Sequence, residues 1–156
     1  MTDGFHRATV SIRGVIVMPE SGLLILRRAA DGEWELPGGR LEPDEAVIEG
    51  LRREITEETG LNVDVKGPVH TAAWLNDRDE GRFAAHYHCT TEHDAVELSD
   101  EHTAFRWVTP ADATGYLDPD GATAVERACQ QLRFDVPLAR VDTRTRQSGT
   151  PTHRND

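Results

Sequence analysis

Residues 8–18, Ala-Thr-Val-Ser-Ile-Arg-Gly-Val-Ile-Val-Met, are rich in β-branched side chains and predict a strand. Leu23-Leu-Ile-Leu-Arg-Arg28 predicts a second, and Pro19-Glu-Ser-Gly22 between them supplies the turn of a hairpin. Residues 29–42 break the apolar pattern around Trp34 and the glycines and predict a loop. From Pro43 or Asp44 to Thr59 the period becomes helical, with Val47, Ile48, Leu51 and Ile55 on one stripe able to pack on a sheet. Pro43 suits the first helical turn and Gly60 a left-handed C-terminal cap. Two β-rich stretches, about 62–76 and 82–91, flank Asp77-Arg-Asp-Glu-Gly81 and predict a second hairpin. Residues 92–103 are acidic and loop-like, Phe105 to Thr109 predicts a short strand, and Pro110 starts a short helix. Residues 121–133 predict a closing amphipathic helix with Ala124, Val125, Ala128 and Leu132 on its apolar side. Residues 1–139 then form the domain, and 140–156, without apolar periodicity, form a disordered tail. Strands of this kind with one crossing and one closing helix predict an α/β/α sandwich around a mixed central sheet.

Composition narrows the function. The chain has 156 residues, the size of one domain with a real core. No apolar stretch approaches a membrane span, and the first residues lack the basic and apolar regions of a signal peptide. Cys89 and Cys129 stand alone without metal-binding spacing, so both read as reduced thiols and a cytoplasmic protein is expected. The formal net charge of −11 argues against nucleic acid as a partner, which needs basic patches to displace counterions. It also means that an anionic small molecule could approach only where cations or arginines invert the local field.

One run concentrates the chemistry: Gly39-Arg-Leu-Glu-Pro-Asp-Glu45-Ala-Val-Ile-Glu-Gly-Leu-Arg-Arg53-Glu54-Ile55-Thr-Glu57-Glu58-Thr-Gly60-Leu61. Glu54, Glu57 and Glu58 stand at i, i+3 and i+4, so their carboxylates meet on one helical face. Uncompensated acids that close repel, and a divalent cation reconciles them with a stable helix. Mg²⁺ and Mn²⁺ favour oxygen ligands and commonly reach substrates through phosphate oxygens. The pattern therefore points to metal-assisted chemistry on a phosphorylated substrate. Gly50, one turn before Glu54, either leaves room on the carboxylate side or is merely tolerated in the helix at about 1 kcal/mol relative to Ala.

The run resembles the signature of the Nudix hydrolases, Gly-x5-Glu-x7-Arg-Glu-U-x-Glu-Glu-x-Gly-U with U aliphatic, at every specified position. Trp34-Glu-Leu-Pro-Gly-Gly39 leads into it as the family usually has it, and the flanking pattern extends the likeness to about residues 8–130. An isolated Glu-x-x-Glu-Glu is more often an exposed charged helix; the complete motif displaces that reading. The resemblance implies an α/β/α fold and hydrolysis of the pyrophosphate link in a nucleoside diphosphate derivative. Nucleoside triphosphates, nucleotide sugars and ADP-ribose are comparable substrate candidates. It implies Mg²⁺ or Mn²⁺ held by Glu54, Glu57 and Glu58, with Glu57 and Glu58 preferred as direct ligands and the Gly38 carbonyl as an extra one. Arg53 is expected to pair with Glu57 or Glu45 and orient the acids, and Glu45 to brace the Gly-rich loop or hold a metal through water. Gly38 and Gly39 are expected to form a turn with positive φ against the helix. Glu101, in Glu101-His102-Thr-Ala-Phe-Arg-Trp107, resembles a distal catalytic group, either ligand or general base, with His102 as its rival.

Substrate anchors are read more simply. Arg27 and Arg28 lie on opposite faces of their strand, so one of them can face a cleft. His86 and His88 share a strand face, where they are half-exposed sheet residues or contacts to a base or phosphate. Trp34 is expected to anchor packing beside the glycines, or to stack on a base. Two other classes remain: a catalytically silent nucleotide-binding module of the same fold, and an isoprenoid diphosphate isomerase, which lacks a cysteine near the box here. A homodimer is compatible with all of these.

Overall fold

The computed structural model describes residues 4–132. The tail expected over 140–156 and the domain end at 139 lie outside them. Strands β1 (Thr9–Met18) and β2 (Gly22–Arg28) form the expected hairpin, antiparallel at Val17 and Leu23. The second hairpin is β5 (Asp64–Leu75) with β6 (Gly81–Thr90). β6 runs parallel to β1 along nine residue pairs, from Thr9 and Arg82 to Val17 and Thr90. Among the described residues, that single parallel pairing makes the sheet mixed, as the sequence pattern predicts.

Alternation along the strands divides the core. Ile12, Ile16, Leu24, Leu26 and Cys89 face helix α1 (Val47–Thr59) and pack with its Leu51 and Ile55. Val15, Leu23 and Ile25 face the other side, against Leu36, Ala113 of α2 (Pro110–Tyr116), and Ala124, Val125 and Ala128 of a helix over residues 119–132, here α3. The result is an α/β/α sandwich. No helix among the described residues is long and apolar enough to cross a membrane.

Three boundaries differ from the sequence expectation. Helix α1 starts at Val47, not at Pro43 or Asp44, because Asp44 has φ 61° and Ala46 is an extended N-cap. The Glu45 carboxylate turns back to accept the Glu42 N–H at 3.1 Å, closing a turn where a first helical turn was expected. The loop expected over 29–42 holds two short strands, β3 (Trp34–Glu35) on β2 and β4 (Gly38–Arg40) on β1. Neither carries an apolar alternation long enough to be seen in sequence. β7 (His102–Val108) begins before Phe105, since it pairs with β2 as far as His102 opposite Arg28.

β1 thus shares one edge between β4 at residues 11–13 and β2 at residues 17–18. This places the glycine-rich strand, the carboxylate face of α1 and the start of β7 around one end of the sheet.

Candidate functional site

Helix α1 presents its acids in three different states. Glu58 is buried at 3 % exposure, Glu54 is partly covered, and Glu57 is exposed. Glu58 accepts the Gly38 N–H at 3.0 Å, and burial pushes its pKa up to about 7 despite that bond. Burial also raises the Glu54 pKa; Arg53 opposes the shift, and the charges of Glu57 and Glu101 add to it.

The acids are partly compensated by Arg53, which pairs with both of the partners expected of it, Glu45 and Glu57, and with Glu54 as well. Arg53 donates to Glu45 at 2.7 Å and 3.0 Å, to Glu54 at 2.9 Å and to Glu57 at 3.3 Å. One guanidinium therefore holds two of the three box carboxylates and ties them to the turn before the helix. Its hydrogen bonds bring the Glu45 carboxyl down to about 2. Glu45 braces the turn over residues 42–45 rather than the Gly-rich loop itself. Gly50 serves the same arrangement: a Cβ there would lie 2.7 Å from a Glu45 carboxylate oxygen.

Gly38 and Gly39 do different work. Gly38 has φ 144°, and a Cβ there would collide with the Ile12 carbonyl, so only glycine fits this strand. Gly39 is not at positive φ, contrary to expectation; a Cβ on it would strike the Glu54 carboxylate. The Gly38 carbonyl, expected as a metal ligand, accepts a 3.3 Å hydrogen bond from Arg13.

A second group of donors forms where β7 begins. Glu58, Glu101 and His102 each offer a ligand atom, and these atoms lie within 4.8 Å of one another. His102 is buried, with Nε2 2.9 Å from Glu35 Oε1. Burial disfavours the imidazolium, but the Glu35 hydrogen bond and the charges of Glu58, Glu35 and Glu101 outweigh it and raise the pKa. Glu35 is held below the usual carboxylate range although burial opposes this, through His102, Arg13 and Arg28. Hard carboxylate oxygens dominate both groups, a donor chemistry that fits Mg²⁺ or Mn²⁺. Burial of Glu58 beside a single backbone donor is also relieved by a cation.

On the opposite face from α1 the sheet opens into a cleft of about 560 Å³. Trp34, Trp74 and Tyr116 supply its aromatic surface, and Arg13, Arg28, His86, Asp118 and Asp120 supply its polar groups. Trp34 and Tyr116 meet edge to face at 5.5 Å, with the Arg106 guanidinium 5.1 Å from the Trp34 ring centroid. Trp34 therefore both packs against the core and lines the cleft. Glu35 joins cleft to acids: one oxygen meets His102, the other Arg13 at 3.3 Å and Arg28 at 3.4 Å.

Alternation alone would place Arg27, with Leu23 and Ile25, on the cleft face; a register shift between Arg27 and Arg28 turns Arg28 there instead. Arg28 lines the cleft, whereas Arg27 donates to the Gly32 carbonyl at 3.2 Å on exposed surface. His86 and His88 are buried at 5 % and 4 %, not half-exposed. His86 reaches the cleft, and burial with the nearby His70 and Arg13 lowers its pKa to about 4. Cys89 is buried, its thiol pushed up to about 12, and neither Cys89 nor Cys129 joins a disulfide among the described residues.

Sequence reading missed Arg13, Glu35, Trp74, Tyr116, Asp118 and Asp120. Polar Ser11 and Arg13 on one face of an apolar strand were a usable signal, because a buried sheet face has no other use for them. The others sit in short or irregular segments, and only the fold brings them together.

The geometry can be compared with known proteins. The sequence model described as "NUDIX domain" matches residues 8–128. A "MutT-like protein" of Streptomyces ambofaciens is 41 % identical over 102 residues, covering 65 % of this chain and 64 % of that protein. The chain therefore spans somewhat under two thirds of that relative's length. "Nucleoside triphosphatase NudI" of Klebsiella pneumoniae (strain 342) is 30 % identical over 129 residues, covering 70 % of this chain and 88 % of that one. Among solved structures, the MutT protein from Methanosarcina mazei Go1 superposes with TM-score 0.69 at 27 % identity, over 81 % of this chain and 96 % of that one. A C. elegans Ap4A hydrolase complex superposes with TM-score 0.72 at 18 % identity, over 81 % and 98 % of the two chains, a likeness of fold alone.

Proposed function

The chain belongs to the Nudix family, and from that membership we propose that it hydrolyses the pyrophosphate link of a nucleoside diphosphate derivative with a divalent cation, nucleoside triphosphates being the leading substrate class. The observation that carries this reading is the placement of the α1 carboxylates against the Gly38 backbone, linked through Glu35 to an aromatic-walled cleft. Similarity to a protein named nucleoside triphosphatase, at 30 % identity, favours triphosphates over nucleotide sugars.

Phosphoric anhydrides resist water because their negative oxygens repel nucleophiles, so catalysis here must lower charge and orient. Mg²⁺ or Mn²⁺, when bound, neutralises phosphate charge and acts as a Lewis acid. Glu57, Glu58 and the Gly38 carbonyl would hold it. Arg53 keeps Glu54 and Glu57 oriented. Glu54, more basic than an ordinary carboxylate through burial, takes the proton of the attacking water. Arg13 and Arg28 lie at the cleft and can neutralise phosphate oxygens. Trp34, Trp74 and Tyr116 offer ring faces for a base, and Asp118 and Asp120 accept its N–H groups.

Incubating the purified chain with nucleoside triphosphates, dinucleotides and nucleotide sugars, with Mg²⁺ or Mn²⁺ and with chelator, tests the proposal. The expected result is chelator-sensitive release of a nucleotide and a phosphate product, fastest from triphosphates. No cleavage of any pyrophosphate with either metal would refute it.

A further inference from the structure

His102 is the first residue of β7, opposite Arg28 at a register shift in β2, and is 6 % exposed. One side of its ring has a clear structural explanation. Nε2 lies 2.9 Å from Glu35 Oε1, while Glu35 Oε2 is engaged by Arg13 and Arg28. Two arginines keep that carboxylate ionised and accepting, so Nε2 carries the hydrogen and donates it.

The other side has none. Nδ1 is buried and has no hydrogen-bond partner among the described residues. A buried imidazole nitrogen without a partner is costly, and native structures seldom keep one without a use. Nδ1 is the nitrogen left for the neighbouring acids, since Nε2 is committed. Glu58, Glu101 and His102 bring ligand atoms within 4.8 Å of one another, and Glu58 spends one oxygen on the Gly38 N–H. A cation with bonds of about 2.1 Å spans such a gap after small side-chain adjustments.

We propose that His102 Nδ1, Glu58 and Glu101 form a mixed nitrogen–oxygen site for a divalent transition metal, and that Glu35 is the positioning residue that holds the imidazole with Nδ1 presented. Carboxylate–imidazole–metal chains of this kind set the tautomer and ring orientation of the ligating histidine. The chemical consequence is selectivity. Mg²⁺ keeps to oxygen ligands, whereas imidazole suits Mn²⁺ and its later neighbours, so this site ranks transition metals above Mg²⁺. The inference rests on the divalent-metal reading, in which Glu101 was already a ligand candidate, and adds a nitrogen ligand, the positioning carboxylate of Glu35 and a metal preference.

The test uses the full chain without a polyhistidine tag, loaded with Mn²⁺ and examined by pulsed EPR for ¹⁴N coupling. Titration calorimetry with Mn²⁺ and Mg²⁺ accompanies it. The wild type should show imidazole ¹⁴N coupling that His102→Asn removes. His102→Asn and Glu35→Ala should each weaken Mn²⁺ binding by about tenfold or more, with Glu35→Gln intermediate and Mg²⁺ affinity changed much less. Absence of ¹⁴N coupling in the Mn²⁺-loaded wild type would overturn the proposal, as would coupling that survives in His102→Asn. So would equal losses of Mn²⁺ and Mg²⁺ affinity. Missing coupling alongside intact Mg²⁺-dependent cleavage would sink this site alone; missing cleavage of every pyrophosphate would sink the hydrolase reading instead.

Discussion

Glu58→Gln should trade function for stability. Glu58 is 3 % exposed, and in the metal-free fold its pKa rises from 4.5 to about 7 through burial. A carboxylate with a raised pKa binds more protons folded than unfolded. Its contribution to stability is therefore complete below pH 4.5 and is lost as pH rises through about 7. At about 1.4 kcal/mol per pKa unit, the full loss has a ceiling of roughly 3.5 kcal/mol. Glutamine keeps the shape and can still accept the Gly38 N–H, but it never ionises. In chelator, urea unfolding at pH 5 and pH 8.5 should show wild type losing on the order of 2–3 kcal/mol relative to Glu58→Gln. Saturating Mg²⁺ or Mn²⁺ should restore wild type at the higher pH and leave the variant largely unchanged, while the variant loses metal-dependent turnover. Parallel pH profiles for the two proteins in chelator would refute the reasoning, because the Glu58 site would then impose no charge penalty for a cation to relieve.

Other consequences follow from the same geometry. Glu57→Gln should lower metal-dependent turnover about 100-fold or more. It should move the unfolding midpoint little, since Glu57 is exposed and its pair with Arg53 is worth about 1 kcal/mol at most; steady-state rates and thermal melts check both. Gly38→Ala should cost about 3 kcal/mol or more, because φ 144° strains any side chain and the Cβ meets the Ile12 carbonyl. Denaturant midpoints measure that. His86, depressed to about 4 in the fold, should give stability that is complete above pH 6.5 and is lost as pH falls toward 4. Replacing His86 with glutamine should flatten that acid limb in urea titrations.

Much of the fold was legible because period carries it. The runs Leu23-Leu-Ile-Leu and Val47, Ile48, Leu51, Ile55 call for a strand and a helix packed on a core, and the structure packs all of them there except Ile48, which stays half-buried outside both clusters. Gly60 was equally readable: its φ of 72° closes α1 as a left-handed cap. β3 and β4 were not readable, being two and three residues long and held by pairing with β2 and β1. The start of α1 was misread because Pro43 suits both a first helical turn and a turn. Glu45 decides between them by reaching back to Glu42 and across to Arg53.

The chain alone determined the acids and their common helical face, since i, i+3 and i+4 spacing is a local property of the backbone. It could not say which acids are buried. Burial is set by whatever packs over them, so only the tertiary structure separates Glu58, under the Gly38 strand, from exposed Glu57. Nor could it join Glu35 to His102, which are 67 positions apart and meet because β3 and β7 flank β2. Local periodicity is written in neighbouring residues; the electrostatic environment of a side chain belongs to residues far away in the chain.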